Sequence, residues 1–300
     1  MQAKLEELKC LLRACGRTLV AYSGGVDSVF LAKIAHDMLG DDALAVIADS
    51  PSLPRRELEE ALEIGKQFGF PVRVIKTAEM ADSNYTSNPS NRCYFCKSEL
   101  FDKLAEIARA EGWQMIVYGE NASDAGDYRP GAQAATEFRV RAPLKEAGLT
   151  KAEIRELSAT LGLPTADKPQ MACLSSRIPL GEPVTAEALA MIEAAEDILR
   201  DAGFYDVRVR HHMLGNPNSD NQIPKTDDRR LQVYLARVEV GPDQLSRLFD
   251  DQLRESVVGA LKQIGYAYVT LDLYGYRRAG ATAAAAPLRA ALVQQPGGAK

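Results

Sequence analysis

Apolar runs alternate with amphipathic segments through the first half of the chain. The runs typical of buried strands are residues 17–22, 43–49, 71–77 and 115–119. The segments with helical apolar spacing are residues 27–39, 54–69, 93–112 and 150–162. Strands that alternate with helices in this way usually lie side by side in one parallel sheet. The pattern predicts an α/β fold whose mostly parallel sheet carries helices on both faces.

Beyond residue 170 the order of elements changes. We expect helices at 185–203 and 242–265, and strands at 206–212, 230–240 and 266–275. This order predicts a small α+β domain with its strands in one sheet. The expected division is a first domain at 1–168, a second at 169–278 and a disordered tail at 279–300. The polar loop at 213–228 is expected to be mobile.

The composition is that of a soluble globular protein. Of 300 residues, 46% are hydrophobic and 26% are charged, which is sufficient for a packed core. The net charge of −5 gives no general attraction to nucleic acid. The acidic N-terminus is unlike a signal peptide and no apolar run is long enough to span a bilayer, so we expect a cytoplasmic protein. There, the five cysteines are expected to be free thiols or metal ligands rather than disulfides.

The stretch AYSGGVDSVF joins the first predicted strand to a helix. It offers backbone N–H groups, hydroxyls and a helix N-terminus to an anion, and the residues concerned are Ser23, Gly24, Gly25, Asp27 and Ser28. The spacing differs from GxxxxGK[ST] and GxGxxG and resembles the SGGxDS loop of the N-type ATP pyrophosphatases, or PP-loop enzymes. The resemblance implies cleavage of ATP between its α- and β-phosphates, with pyrophosphate in the loop and Asp27 helping to hold Mg²⁺. The alternative is a turn whose hydroxyls only cap the helix.

Four further segments narrow the resemblance. They are DSPSLPRRELEEA (49–61), GENASDAGDYRPG (119–131), residues 141–179 with ACLSSR near their end, and RVRHH (208–212). From about Leu5 to Tyr276 the chain resembles the LarE family. The resemblance implies an ATP-dependent sulfur transferase that adenylates the carboxylates of pyridinium-3,5-biscarboxylic acid mononucleotide and converts them to thiocarboxylates, on the route to the nickel-pincer nucleotide cofactor. It also implies a trimer-based homo-oligomer, commonly a hexamer.

Two segments that follow predicted strands are candidates for binding ATP. Ala48 lies at the end of the second strand, where parallel sheets bind their ligands, and the resemblance implies that its backbone meets the adenine. Gly119 begins the loop after the fourth strand, whose acidic and amide side chains and arginine suit Mg²⁺ and a charged ligand. The alternatives are an ordinary strand end and a polar loop without a ligand.

Cys173 matches the position whose thiolate, in the single-cysteine form of the LarE family, attacks the adenylated carboxylate. A thiolate is a strong nucleophile and AMP a good leaving group, so a thioester forms. Loss of the Cα proton and cleavage of the Cβ–S bond then leave the thiocarboxylate and dehydroalanine, which consumes the enzyme. Arg177 and Lys168 are candidates for keeping the thiol ionised, and Arg177 also for binding substrate. The alternative is a small buried cysteine.

The chain departs from the single-cysteine form because RCYFCK adds Cys93 and Cys96 at a helix start. With Cys173 they supply three thiolates, which can hold three irons of a [4Fe-4S] cluster and leave the fourth iron open for an extra sulfide. The resemblance supports this set, since some family members carry it and work catalytically. Three alternatives remain: zinc with His211 or His212, a redox disulfide that relays sulfur as a persulfide, and a structural pair.

Arg208 and Arg210 alternate along a predicted strand and therefore share one face. Their guanidinium groups can bind the phosphate of a mononucleotide there, and the resemblance places substrate recognition in this region. Glu196, on the preceding helix, is a further candidate. In the alternative, the arginines form ion pairs, with Glu193 and Glu196 as partners.

Two other classes of function fit the sequence less well. A tRNA-thiolating enzyme normally needs a broad basic surface and further CxxC pairs, whereas this chain is acidic and has one such pair. A non-catalytic ATP-binding module leaves Cys173 and the CxxC pair unexplained. The sequence favours an enzyme that acts on a small molecule with ATP, Mg²⁺ and a [4Fe-4S] cluster, and takes sulfur from sulfide or another donor.

Overall fold

The structure is a computed structural model that describes residues 1–124, 130–169, 172–214 and 232–276. Contacts divide the chain into two compact units, Met1–Glu193 and Ala194–Lys300. The domain boundary after residue 168 stays a prediction. All but the first two residues of the 213–228 loop, and the whole tail from 279, lie outside the described residues.

The first unit is built on a four-stranded parallel sheet. Its strands are β1 (Thr18–Tyr22), β2 (Ala43–Asp49), β3 (Val72–Lys76) and β4 (Met115–Tyr118), in the order β3-β2-β1-β4. The central strand β1 is buried at every position, as expected for a parallel strand covered on both faces. The predicted fold class is confirmed.

Helices cover both faces of this sheet. They are α1 (Gln2–Cys15), α2 (Val26–Leu39), α3 (Arg55–Gln67), α4 (Ser83–Thr86), α5 (Arg92–Glu111), α6 (Pro130–Glu137), α7 (Pro143–Glu146) and α8 (Lys151–Thr160). Val20 and Tyr22 of β1 pack with Phe30 of α2 in one core, whereas Leu19 of β1 packs with Phe101 of α5 in another. Alternate residues of one strand thus enter two cores. Within the described ranges, no helix is long and apolar enough to cross a membrane.

The second unit contains a three-stranded mixed sheet. Helix α9 (Ala186–Asp201) leads into it, and its further elements are β5 (Arg208–Leu214), β6 (Val233–Glu239), α10 (Asp251–Ile264) and β7 (Tyr266–Leu271). The strand order is β5-β6-β7, with β5 antiparallel and β7 parallel to β6. The predicted small α+β unit with one sheet is confirmed.

The single helix predicted at 242–265 is wrong in one respect. A 3-10 helix covers Pro242–Phe249, and α10 begins only at Asp251. Between them Asp250 has an extended backbone (φ −67°, ψ 127°), and its carboxylate accepts a hydrogen bond from Leu253 N at 2.9 Å. The helical apolar spacing continues across this point, but Asp250 serves as an N-cap and restarts the helix.

Two glycines of α10 give a test of the helix assignment. Gly259 is exposed inside α10, and a Cβ added there would have no atom within 4 Å, whereas Gly265 ends the helix with φ +123°. We expect Gly259→Ala to raise the free energy of unfolding by about 1 kcal/mol, because alanine restricts the unfolded chain. Gly265→Ala should lower it through backbone strain. Urea unfolding measures both, and equal shifts would contradict the assignment.

Candidate active site

The loop after β1 is closed by the hydroxyl of Ser28. Ser28 Oγ accepts from Ser23 N at 3.1 Å, lies 3.0 Å from Ser23 Oγ and donates to Gly25 O at 3.1 Å. Gly24 has φ +71°, and Gly25 is the N-cap of α2. A left-handed residue beside a helix N-terminus is typical of backbone nests that bind anions. The structure therefore places the five predicted loop residues in an arrangement suited to phosphate.

Glycine at position 119 lets the end of β4 approach this loop. A Cβ on Gly119 would lie 2.9 Å from Ser28 N and 3.1 Å from the carbonyl carbon of Asp27. A Cβ on Gly24 would likewise lie 2.8 Å from the Cβ of Ala61 on α3. Because ordinary side chains do not come this close to their neighbours, both positions require glycine for the observed packing.

Asp27 is held between two segments that follow β4. Its Oδ2 lies 2.7 Å from Lys151 Nζ and 3.4 Å from Asn121 Nδ2. Its Oδ1 is buried and has no hydrogen-bond partner among the residues that the structure describes. Burial raises the pKa of the Asp27 carboxyl, and Lys151 opposes this rise. A buried carboxylate oxygen without a donor, beside a phosphate-type loop, suits a hard cation such as Mg²⁺.

The sequence reasoning missed both partners of Asp27. Lys151 is the first residue of α8, which begins with a capping box formed by Thr150 and Glu153. The T-x-x-E spacing marks such a helix start, so the sequence could predict that Lys151 begins a helix. The sequence could not predict that Lys151 lies close to Asp27, because this depends on how α8 packs. Asn121 follows β4 in the segment 119–131, where an oxygen-rich ligand site was predicted, and residues 125–129 of that segment lie outside the described residues.

The turn after β2 is held by one arginine. Arg55 pairs with Asp49, and its Nη2 donates to Ser50 O at 2.7 Å and to Leu53 O at 2.8 Å. Ala48, at the end of β2, pairs with β3 and lies at the same edge of the sheet as the loop after β1. Its predicted contact with adenine stays a prediction.

Cys173 caps a short 3-10 helix, Leu174–Arg177. Arg177 is buried (1% exposed), and its Nη1 donates to the carbonyl oxygens of Ala172 at 2.6 Å and of Cys173 at 2.9 Å. Lys168 pairs with the carboxylates of Glu57 and Glu60 at 2.6 and 2.8 Å. These contacts show that Arg177 holds the backbone around Cys173. The proposed effects of Arg177 and Lys168 on the thiol, and of Arg177 on substrate, stay predictions.

Arg92 lies beside the sulfur of Cys173, and the sequence reasoning did not identify it. Arg92 Nη2 is 3.9 Å from Cys173 Sγ, and Nη1 donates to Ser175 O at 3.2 Å. The side chain is 8% exposed. Arg92 directly precedes Cys93 of the CxxC pair, which the sequence did identify. The contact between Arg92 and Cys173, 81 residues further along the chain, depends on the fold and is not visible in the sequence.

Cys93 and Cys96 lie in the first two turns of α5, close enough to Cys173 for their charges to interact. Burial raises the pKa of Cys96 to about 12, with the charges of Glu79, Cys173 and Cys93 adding to the rise. The Cys93 side chain reaches solvent, yet the protein atoms around it remove part of its hydration and raise its pKa, and the charge of Cys173 adds to this effect. The three predicted cysteines therefore share one region of the first unit.

The three thiols are not arranged around a single metal ion. In the described part of the chain, no group of three or more His, Cys, Asp or Glu side chains is placed to hold one ion. A [4Fe-4S] cluster makes a different demand, because each thiolate binds a different iron atom and the sulfurs stay further apart. Three thiol donors from two adjoining segments are chemically suited to such a cluster.

A buried hydrogen-bonded chain joins the turn after β2 to the Cys173 segment. Glu79, 2% exposed, accepts from Ser50 Oγ, which lies 2.8 Å from Ser52 Oγ. The carbonyl oxygen of Ser52 accepts from Leu174 N at 2.8 Å. The edge of the sheet where ATP is predicted to bind is thus bonded directly to the residue after Cys173. Glu79 was not singled out in the sequence.

The predicted arginine face of the second unit exists, but it is lined by carboxylates. Arg210 makes a two-point ion pair with Glu239 at 3.0 Å for both contacts, and Arg237 pairs with Glu239 at 3.1 Å. Arg208 is buried, and its guanidinium stacks over the ring of Tyr276 at 4.6 Å. Arg210 thus forms an ion pair, as the alternative held, but with Glu239, which that alternative did not name as a partner. Phosphate binding at Arg208 and Arg210 stays a prediction.

Glu196 and the two histidines have structural partners in this unit. Glu196 is fully buried, accepts from Val209 N at 3.0 Å and pairs with Arg200 at 2.8 Å. His211 is buried, its Nδ1 lies 3.1 Å from the Tyr266 hydroxyl, and burial lowers its pKa to about 4. His212 Nε2 lies 3.4 Å from Arg237 Nε. Glu193, the other predicted partner of the arginines, lies in the first unit and accepts from Arg55 N.

A parallel sheet whose central strand enters a glycine-serine nest and a helix defines a nucleotide-binding α/β protein. The chain is 43% identical over 277 residues to an uncharacterised protein of Synechocystis sp., covering 92% of this chain and 96% of the relative. It is 32% identical over 278 residues to pyridinium-3,5-bisthiocarboxylic acid mononucleotide synthase of Lactiplantibacillus plantarum, covering 92% and 93%. A glutamine-hydrolysing GMP synthase of Thermomicrobium roseum is 30% identical over 210 residues, covering 62% and 39%.

The first two of these similarities cover nearly the whole chain. The chain belongs to the LarE family, a branch of the ATP-using PP-loop enzymes. A search of protein-family models found no match.

The close approach of Gly119 to the loop gives a test of the ATP site. Gly119→Ala places a methyl group 2.9 Å from Ser28 N, so the end of β4 and the loop must move apart. We expect ATP affinity to fall by about tenfold or more, equivalent to about 1.4 kcal/mol. Titration calorimetry measures this, with Gly259→Ala as the matched control. An unchanged affinity in a folded Gly119→Ala protein would contradict the site.

Proposed function

We propose that this protein is an ATP-dependent sulfur transferase that converts the carboxylates of pyridinium-3,5-biscarboxylic acid mononucleotide into thiocarboxylates. One observation supports this more than any other: the nucleotide loop with Asp27 and the three-cysteine region lie in the same unit, and the turn after β2, at the same edge of the sheet as the loop, bonds to the Cys173 segment through Ser52 and Leu174. The Lactiplantibacillus plantarum relative is named for the synthesis of pyridinium-3,5-bisthiocarboxylic acid mononucleotide, the product of this conversion. The product serves the nickel-pincer nucleotide cofactor, as the family resemblance implies.

The first step is adenylation at the loop. A carboxylate oxygen of the substrate attacks the α-phosphorus of ATP, and the bond between this phosphorus and the bridging oxygen breaks, so pyrophosphate leaves. The nest around Ser23 and Ser28 receives the pyrophosphate. Asp27, whose Oδ1 has no donor in the described part of the protein, would hold Mg²⁺, which would neutralise charge on the phosphates. Lys151 lies 2.7 Å from the other carboxylate oxygen of Asp27, where it compensates the buried charge.

The second step transfers sulfur. Cys93, Cys96 and Cys173 would hold a [4Fe-4S] cluster, and such a cluster would supply a binding position for an extra sulfide. Sulfide attacks the activated carbonyl carbon, the carbon–oxygen bond to AMP breaks, and the thiocarboxylate forms. Arg177 keeps the backbone of Cys173 in place through its two carbonyl contacts. The cycle then repeats on the second carboxylate.

In the sacrificial form of the reaction, Cys173 is itself the sulfur source. Its thiolate forms a thioester with release of AMP, loss of the Cα proton breaks the Cβ–S bond, and dehydroalanine remains. Both the cluster-dependent and the sacrificial form of the reaction require the Cys173 sulfur, but only the cluster-dependent form leaves it in the protein. The substrate phosphate is assigned to Arg208 and Arg210 beside Glu196, and Glu239 must then share Arg210 with the phosphate. The assembly proposed is a trimer-based homo-oligomer.

Cys173→Ser separates adenylation from sulfur transfer. A serine hydroxyl is not a thiolate and does not bind iron comparably. We expect ATP-dependent pyrophosphate release to persist with the biscarboxylated substrate while thiocarboxylate formation is lost. Cys10→Ser, at an exposed position on α1, is the matched control and should retain both. Pyrophosphate detection and mass spectrometry of the small-molecule products measure the two steps. Normal thiocarboxylate formation by Cys173→Ser would refute the proposal.

A further inference from the structure

Side chains just before the CxxC pair hold the turn that carries Cys173. The Tyr85 hydroxyl lies 2.7 Å from Ser175 Oγ, and Arg92 Nη1 donates to Ser175 O at 3.2 Å. Ser175, two residues after Cys173, is therefore hydrogen-bonded through both its side chain and its backbone. The turn is fixed to the segment that enters α5, and the geometry of the three-cysteine region depends on these contacts.

Arg92 differs from the other residues of this segment because it also reaches a sulfur. Its Nη2 lies 3.9 Å from Cys173 Sγ, and its Nη1 is fixed by Asn88 Oδ1. Asn88 is anchored in turn, since its Nδ2 donates to Pro179 O at 2.7 Å. The buried Nε of Arg92 has no hydrogen-bond partner within the described ranges. A guanidinium with these partners cannot turn away from the sulfur without breaking several hydrogen bonds.

We propose that Arg92 is a positioning residue that donates an N–H group to the Cys173 sulfur and thereby raises the reduction potential of the bound cluster. This inference rests on the proposed function, since it requires a cluster on Cys93, Cys96 and Cys173. Hydrogen bonds to ligand sulfurs and nearby charge are general determinants of cluster potential. A reduced cluster carries one more negative charge than the oxidised cluster. A buried cation therefore stabilises the reduced form more strongly.

The test is a redox titration of the full-length protein, reconstituted anaerobically with iron and sulfide and followed by electron paramagnetic resonance. Arg92→Gln should shift the midpoint potential to a more negative value and lower the iron retained after gel filtration. Arg109→Gln is the matched control, because it removes the same charge from an exposed position on α5. It should leave both quantities at the wild-type value.

The outcomes separate this inference from the proposed function. A wild-type protein that binds no cluster refutes the cluster and this role of Arg92 together. A wild-type cluster whose potential is the same in Arg92→Gln and Arg109→Gln refutes the role of Arg92 alone. If Arg92→Gln does not fold, Arg92→Lys serves instead. Lysine keeps the charge but has a single nitrogen in place of the two, Nη1 and Nη2, that contact Ser175, Asn88 and the Cys173 sulfur. A smaller shift of the same sign is therefore expected, and no shift overturns the inference.

Discussion

The parallel pairing of β1 with β2 and β4 determines where the candidate active site of this protein lies. Parallel strands end at one edge of the sheet, so the nest after β1, the turn after β2 and Gly119 after β4 are neighbours. The turn after β2 then extends the site, because Ser52 O accepts from Leu174 N and brings the segment of Cys173 to this edge. A backbone hydrogen bond, rather than flexible side chains, thereby joins the Cys173 segment to the turn after β2.

Buried charge organises the same region. Asp27 forms an ion pair with Lys151, and Arg92 lies beside the sulfur of Cys173. The carboxylate and the thiol therefore each have a cationic side chain from another segment beside them. A buried charge without such a partner is costly. The oxygen of Asp27 that lacks a donor in the described part of the protein marks the place where an added cation would be stabilising.

The sequence was sufficient for the fold class and for most of the strands and helices. Hydrophobic periodicity predicted the parallel sheet, the helices on both faces and the small second sheet, and the glycines and serines of the loop predicted an anion site. Periodicity failed at Asp250, where an N-cap interrupts a continuous apolar spacing. Lys151, Arg92 and Glu79 were not identified because their roles arise from contacts between distant segments, which no local pattern encodes. For Arg210 the face was predictable, but its choice of Glu239 depended on strand register.

The most direct test of the proposed mechanism is the intact mass of the reconstituted protein after anaerobic turnover with ATP, Mg²⁺, the biscarboxylated pyridinium mononucleotide and sulfide, with the product quantified in parallel. Cluster-dependent transfer predicts several thiocarboxylates per protein chain and an unchanged protein mass, because sulfur reaches the substrate while Cys173 stays a ligand. A protein that loses the mass of hydrogen sulfide from Cys173 and stops after one sulfur would contradict it.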